Sequence, residues 1–145
     1  MGEIIALATA EEQSLQDWIS TWRPDYPVPA EMRSLIPRRL RTLKAVIEPS
    51  SPEDLGVNVE RLFSFLEAFG IQPTTQTITG VVSAYREALS DLPSWAVAEA
   101  ISSIIKTWRY QSIPKPADIR ANVPDSFYNA RTEASRLQTA MMFSS

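Results

Sequence analysis

The chain has no cysteine and no histidine, and only four glycines among 145 residues. Without those two side chains the usual zinc ligand sets, a thiol nucleophile, the Ser-His-Asp arrangement and the commonest general base are all excluded. So is the one side chain that ordinarily titrates near neutrality. The scarcity of glycine, with no Asn-Gly hairpin dipeptide and no alternating strand pattern, argues against a β fold. Neither GxxxxGK[ST] nor GxGxxG occurs, so no standard phosphate loop for ATP is present. No apolar run approaches the length of about 18 residues that a spanning helix needs. The first residues, MGEIIALATAEEQ, lack a basic leader and are not expected to be a signal peptide. Met1-Gly2 begins like a myristoylation signal, but Ala6 stands where Ser or Thr is needed. A soluble, intracellular protein is expected.

What is present is a chain long enough for one domain, 44% hydrophobic, punctuated by eleven prolines. The net charge of −3 is assembled from blocks of alternating sign. Residues 1–22 carry four acids and no base, and residues 23–44 six bases against two acids. Residues 45–105 carry eight acids against two bases, and residues 106–145 six bases against three acids. Any phosphate contact must therefore be local.

Periodicity predicts an all-α fold, a single compact bundle of six or seven helices over residues 1–145. The helices are placed at 10–22, 30–47, 52–69, 74–90, 93–108, 116–122 and 125–142. Thr9 and Glu12 have the spacing of a capping box, and Leu15, Trp18, Ile19 and Trp22 form one face of the first helix. The second is expected to bury Ile36, Leu40, Leu43 and Ile47 and to kink or break at Pro37. The third starts from a Ser51 cap with Pro52 at its first position. It repeats Leu55, Val59, Leu62, Leu66 and Phe69, and ends at Gly70, with Gly56 loosening its first turn. The fourth turns Ile78, Val82, Tyr85 and Leu89 inward. The fifth presents a wide stripe of Val97, Ala98, Ile101, Ile104, Ile105 and Trp108. Asp118 is expected at the positive start of the sixth. The seventh repeats Phe127, Ala130, Ala134, Leu137 and Met141.

Four groups of residues are candidates for function. The run RRLRTLK makes a basic amphipathic helix, in which Arg38 and Arg41 lie opposite the apolar face and Arg39 and Lys44 flank it. It either tracks phosphates or is a solvated face beside acidic helices. Lys106, Arg109, Lys115 and Arg120 interleave with Trp108 and Tyr110, and aromatics beside cations stack on bases. Of these, Arg109, Tyr110 and Lys115 are the exposed candidates for nucleic acid or an acidic partner, the alternative being a loop-packing cluster. Glu48, Glu53, Asp54, Glu60 and Glu67 are spread along a helix and its entry, without the convergence of a metal site. They read as a solvated face or as a surface for a basic partner. The last helix ends in an adaptable Met-rich tip, so Leu137, Met141, Met142 and Phe143 are candidates for binding a protein partner. The alternative for that helix is packing within the bundle. No catalytic or metal-ligating residue and no cofactor is expected.

Residues 85–120, YREALSDLPSWAVAEAISSIIKTWRYQSIPKPADIR, hold the most specific layout. An aromatic-containing helix leads to the turn Leu92-Pro93-Ser94-Trp95, then to a helix from Ala96 to Lys106. A proline loop and a short helix on Pro116-Ala117-Asp118-Ile119 follow. This layout resembles phage-encoded replication proteins, in particular the small all-helical helicase loaders that lack ATPase activity. The resemblance implies a non-enzymatic adaptor in a bacterial cytoplasm that binds a hexameric replicative helicase and delivers it to an origin-bound initiator. In such loaders a flexible C-terminal part touches the helicase, whereas here the last residues read as a helix. Two alternatives stand beside this one. One is a small phage inhibitor of a host enzyme or defence complex, acting through the acidic surface of residues 45–105. The other is a nucleic-acid-binding protein using the basic helix. Partner identity, direct DNA contact and oligomeric state stay open.

Overall fold

The computed structural model describes residues 10–71, 78–109 and 112–143, which hold seven helices and no strand. They are α1 (Ala10–Thr21), α2 (Ala30–Ile47), α3 (Pro52–Ala68), α4 (Ile78–Ala88), α5 (Ser94–Thr107), α6 (Pro116–Ala121) and α7 (Asp125–Met142). The fold is all-α, as the periodicity predicts. Among the described residues no helix is long and apolar enough to cross a membrane. Thr9, and with it the expected capping box, lies outside the described residues, as do the start of the fourth predicted helix and Tyr110.

The sequence suggests one domain; packing groups the helices into two compact units. Unit 1 comprises Met1–Ile47 with Asp125–Ser145, and unit 2 comprises Glu48–Pro124. Unit 1 therefore closes around helices from the two ends of the chain.

In unit 1, α1 buries Leu15 and Ile19, and Trp22 follows just beyond its end. Helix α2 runs through Pro37 as one helix and buries Ile36, Arg39, Leu43 and Val46. The expected face is thus rotated, with Arg39 inward and Leu40 and Ile47 only half-buried. Helix α7 buries Phe127, Ala130, Ala134, Leu137 and Ala140. The seam continues through Ala140, not through Met141, and its alanines let the neighbouring helices approach closely. Three contacts advance together along α1 and α7, from Gln16–Glu133 to Ile19–Arg136 to Trp22–Phe143, so these helices run parallel.

In unit 2, α3 is capped by Ser51, whose hydroxyl accepts from the Asp54 N–H at 3.2 Å. The helix buries Leu55, Val59, Leu62, Phe63 and Leu66. Phe69 falls beyond the last helical turn, is 68% exposed and leaves the seam to lie against Phe65. Gly70 then takes the left-handed conformation, φ 73°, where a side chain would be strained. Gly56 does not loosen the helix. It is buried, and the Arg86 guanidinium lies where its Cβ would be.

Val82 and Tyr85 of α4 and Leu89 just after it pack inward, with Phe63 and Tyr85 edge to face at 5.4 Å. Helix α5 buries Ala96, Val97, Ala100, Ile101 and Ile104, which makes it the most apolar element of the unit. Ala98, Ile105 and Trp108 are only half-buried. Trp108 caps the helix in extended conformation, and its indole N–H donates to the Ser112 carbonyl at 2.9 Å. It ties down the proline loop and does not fill the core stripe. In α6, Asp118 accepts from the Lys115 N–H at 2.7 Å, the position at the helix start that the sequence predicts.

Candidate functional site

The basic helix yields the first correction. Arg39 is 1% exposed and cannot track phosphates. Its Nε and Nη2 donate to the two carboxylate oxygens of Glu133 at 2.7 and 3.0 Å, a bidentate pair, and its Nη1 donates to Glu12 at 3.1 Å. Gln16 also donates to Glu133, at 3.1 Å. One node thus joins α1, α2 and α7. Burying an arginine costs several kcal/mol unless it is paired, and here two carboxylates and a planar fork supply the pairing. Glu12 sits in the first turn of α1, where the helix dipole favours the second negative charge. The hydrogen bond to Glu133 holds the Arg39 pKa above its ordinary value against the opposing effect of burial. No buried side-chain nitrogen or oxygen among the described residues lacks a partner.

The remaining basic candidates divide between the units. In unit 1, Arg38 is exposed and paired with Glu11 at 3.1 Å, while Arg41 and Lys44 are exposed on the outer face of α2. In unit 2, Arg109 and Lys115 are exposed, and Arg120 is bound to Asp91 and to the Ala88 carbonyl. Only Arg41 and Lys44 of the RRLRTLK run face solvent without an ion pair among the described residues.

The C-terminal helix yields the second correction. Leu137 is fully buried and is core, so it is not available to a partner. Past it the apolar surface emerges: Met142 is 79% exposed and Phe143 55%, with Met141 also exposed. Phe143 lies against Trp22 at 6.1 Å, and Trp22 against Trp18 at 6.2 Å. Because α1 and α7 run parallel, this aromatic and methionine surface gathers at the shared C-terminal end of the two helices.

Beside that end lies a cleft. A hollow of about 340 Å³ is lined by Gln16, Ile19 and Ser20 of α1 and by Asn129, Thr132, Glu133 and Arg136 of α7. A second, of about 450 Å³, is lined by Ser20, Trp22, Arg23, Pro24 and again Arg136. Ser20 and Arg136 are common to both, and Arg136 is fixed in place. Its Nε donates to the Ile19 carbonyl at 2.9 Å, and its Nη2 to the carbonyls of Ser20 at 3.4 Å and Trp22 at 2.6 Å. These oxygens lie in the last turn of α1 and just beyond it, where a cation stabilises the helix's partial negative charge. The turn is closed by the Trp22 indole N–H, which donates to the Tyr26 carbonyl at 3.2 Å.

Glu12, Gln16, Glu133 and Arg136 are functional or organising residues that the sequence reading missed. A signal exists for one of them: Glu133 falls beside the apolar stripe of its helix, as the oppositely charged Arg39 does on α2. Among the described residues no group of three or more acids could hold a metal ion. The arrangement offers an apolar ledge beside a fixed guanidinium, which is recognition chemistry. No protein-family model, no curated protein and no solved structure matches the chain.

Proposed function

We propose that this protein is a non-enzymatic adaptor that binds a protein partner through the shared end of α1 and α7. The supporting observation is the exposed run Met141-Met142-Phe143 on a helix that is itself docked through Leu137 and Ala140. Methionine and aromatic side chains bury large areas and adapt to the facing surface, and such residues dominate interface energetics. The layout of residues 85–120 supports a replicative helicase as the partner and a helicase-loader-like role for the adaptor. In this reading unit 2 supplies the scaffold that resembles the loaders, and unit 1 supplies the contact. The burial of Arg39 and the pairing of Arg38 with Glu11 leave the nucleic-acid reading only Arg41 and Lys44 on the basic helix. Two cations give a weak, short phosphate track.

Co-purification and size-exclusion chromatography of the full chain with the replicative helicase of the phage or of its bacterial host test the reading. A complex is expected, and the double variant Met142→Ser/Phe143→Ser is expected to lose it while keeping its helical circular dichroism. Absence of a complex with either helicase would sink the helicase assignment. A complex indifferent to the double variant would move the contact away from α7.

A further inference from the structure

Among the described residues Arg120 and Arg136 each cap a helix end, and the two are not equally satisfied. In unit 2, Arg120 donates to the Ala88 carbonyl at the end of α4, and its remaining reach is taken by both oxygens of Asp91. In unit 1, Arg136 gives Nε and Nη2 to three carbonyls at and just beyond the end of α1. Its two Nη1 hydrogens have no acceptor among the described residues. A guanidinium presents five donors in a rigid fork suited to a carboxylate. Arg136 is therefore held in place by backbone, lines two adjoining hollows and keeps half of its fork unused.

We infer that the cleft beside Arg136 takes a carboxylate from the partner protein, an Asp or Glu flanked by apolar side chains that rest on Met142 and Phe143. The charge complementarity is local: Arg136 walls both hollows, and Arg23 lines the second. Glu133 also lines the first hollow, but both of its carboxylate oxygens are engaged by Arg39. The apolar ledge adjoins the second hollow through Trp22, which lines that hollow and touches Phe143. This deepens the adaptor reading and rests on it for the site. It adds the chemistry of the segment recognised, which is acidic and apolar.

Thr132 provides the test. It is exposed, lines the cleft and precedes Arg136 by four residues on α7. A Glu four residues before an Arg is the favoured pairing on a helix. Thr132→Glu thus places a carboxylate on Arg136 from within the chain and leaves the cap intact. The full chain would be titrated, by ¹⁵N NMR and Trp fluorescence, with a blocked amphipathic peptide of Leu and Glu, with its Leu and Gln counterpart, and with sodium acetate. The Glu peptide is expected to shift Arg136 and the amides of residues 19–22, and the Gln peptide to bind about tenfold more weakly. Thr132→Glu should weaken the Glu peptide by about the same factor, while Thr132→Gln should not. Equal affinity for the two peptides, no binding of either, or acetate binding as tightly as the Glu peptide would each overturn the inference. A helicase complex that forms and ignores Thr132→Glu also overturns it and leaves the adaptor reading standing. Peptide binding without any helicase complex removes only the helicase.

Discussion

The two units solve the same problem, holding amphipathic helices together, with different chemistry. Unit 2 relies on a broad apolar core around α5, and its polar ties lie toward the edge. Arg61 reaches the Ala98 carbonyl and Ser102, and Arg120 reaches Asp91 and the Ala88 carbonyl. Unit 1 instead places a charge inside. The apolar residues that α7 buries between Phe127 and Leu137 are the small Ala130 and Ala134, and beside Ala134 Glu133 holds the buried Arg39 together with Glu12. An apolar core tolerates small changes in packing, whereas a buried ion node demands every partner at once. The charged unit also exposes Met142 and Phe143 beside a partly used guanidinium. Unit 1 is thus the more specified of the two.

The largest effect is expected where that contrast is sharpest. Arg39→Ala strands two carboxylates in a part-buried site and should cost about 3–5 kcal/mol, the range for breaking a buried pair. Trp18 and Trp22 report on unit 1 and Trp95 and Trp108 on unit 2, so urea unfolding of variants that keep one pair separates the units. The loss should register on the unit 1 pair. An Arg39→Ala protein as stable as the parent by that probe would show the node to be incidental. The capping arginines come next. Arg136→Ala should cost about 2 kcal/mol, since three carbonyls lose a charged donor. Arg120→Ala should cost about 1 kcal/mol, since its carboxylate pair is substantially exposed and screened. Equal losses on the two unit-specific probes would erase the asymmetry between them.

Among the described residues of unit 2 a buried tyrosine makes a polar tie, and it titrates. The Tyr85 hydroxyl donates to the Pro114 carbonyl, tying α4 to the proline loop before α6. Burial, with the Asp118 charge as a smaller contribution, pushes its pKa up to about 12 from 10. A raised pKa means that the folded state keeps the proton longer than the unfolded chain. The stabilisation is complete below about pH 10 and is lost as pH rises from there to about 12. Tyr85→Phe should cost about 1 kcal/mol at pH 8. The gap between the parent and Tyr85→Phe should then narrow by pH 11, measured by urea unfolding on the unit 2 tryptophans. A gap that does not change with pH would mean that Tyr85 is not the titrating group.

Much of this was legible from periodicity, and the misses share one cause. Leu15, Ile19 and Trp22, then Val82, Tyr85 and Leu89, then Val97, Ile101 and Ile104 are buried as their spacing predicts, because each is apolar and needs no distant partner. The α2 face was misplaced because an inward arginine contradicts local pattern; only Glu133, 94 residues away, makes it possible. Leu137 was offered to a partner because the heptad spacing does not say where the core stops, and Ala140 ends it. Trp108 was placed in the stripe because its spacing fits, although the helix ends at Thr107 and the indole turns to the loop. The cleft was invisible, since Arg136 acquires its role from the end of α1 and from nothing in its own helix.

The smallest effect tests the comparison most directly, because it makes unit 1 imitate unit 2. Arg120 has a carboxylate and Arg136 has none, so Thr132→Glu supplies what Asp91 supplies elsewhere. A Glu to Arg pair at this spacing should stabilise unit 1 by about 0.3–0.5 kcal/mol at low salt. The reverse change, Asp91→Asn, should destabilise unit 2 by about the same amount. Both shifts should shrink in 1 M salt, where the screening length falls to about 3 Å. If Thr132→Glu destabilises instead, the Nη1 edge of Arg136 is not open to a carboxylate. The parallel between the two caps then ends at their backbone contacts.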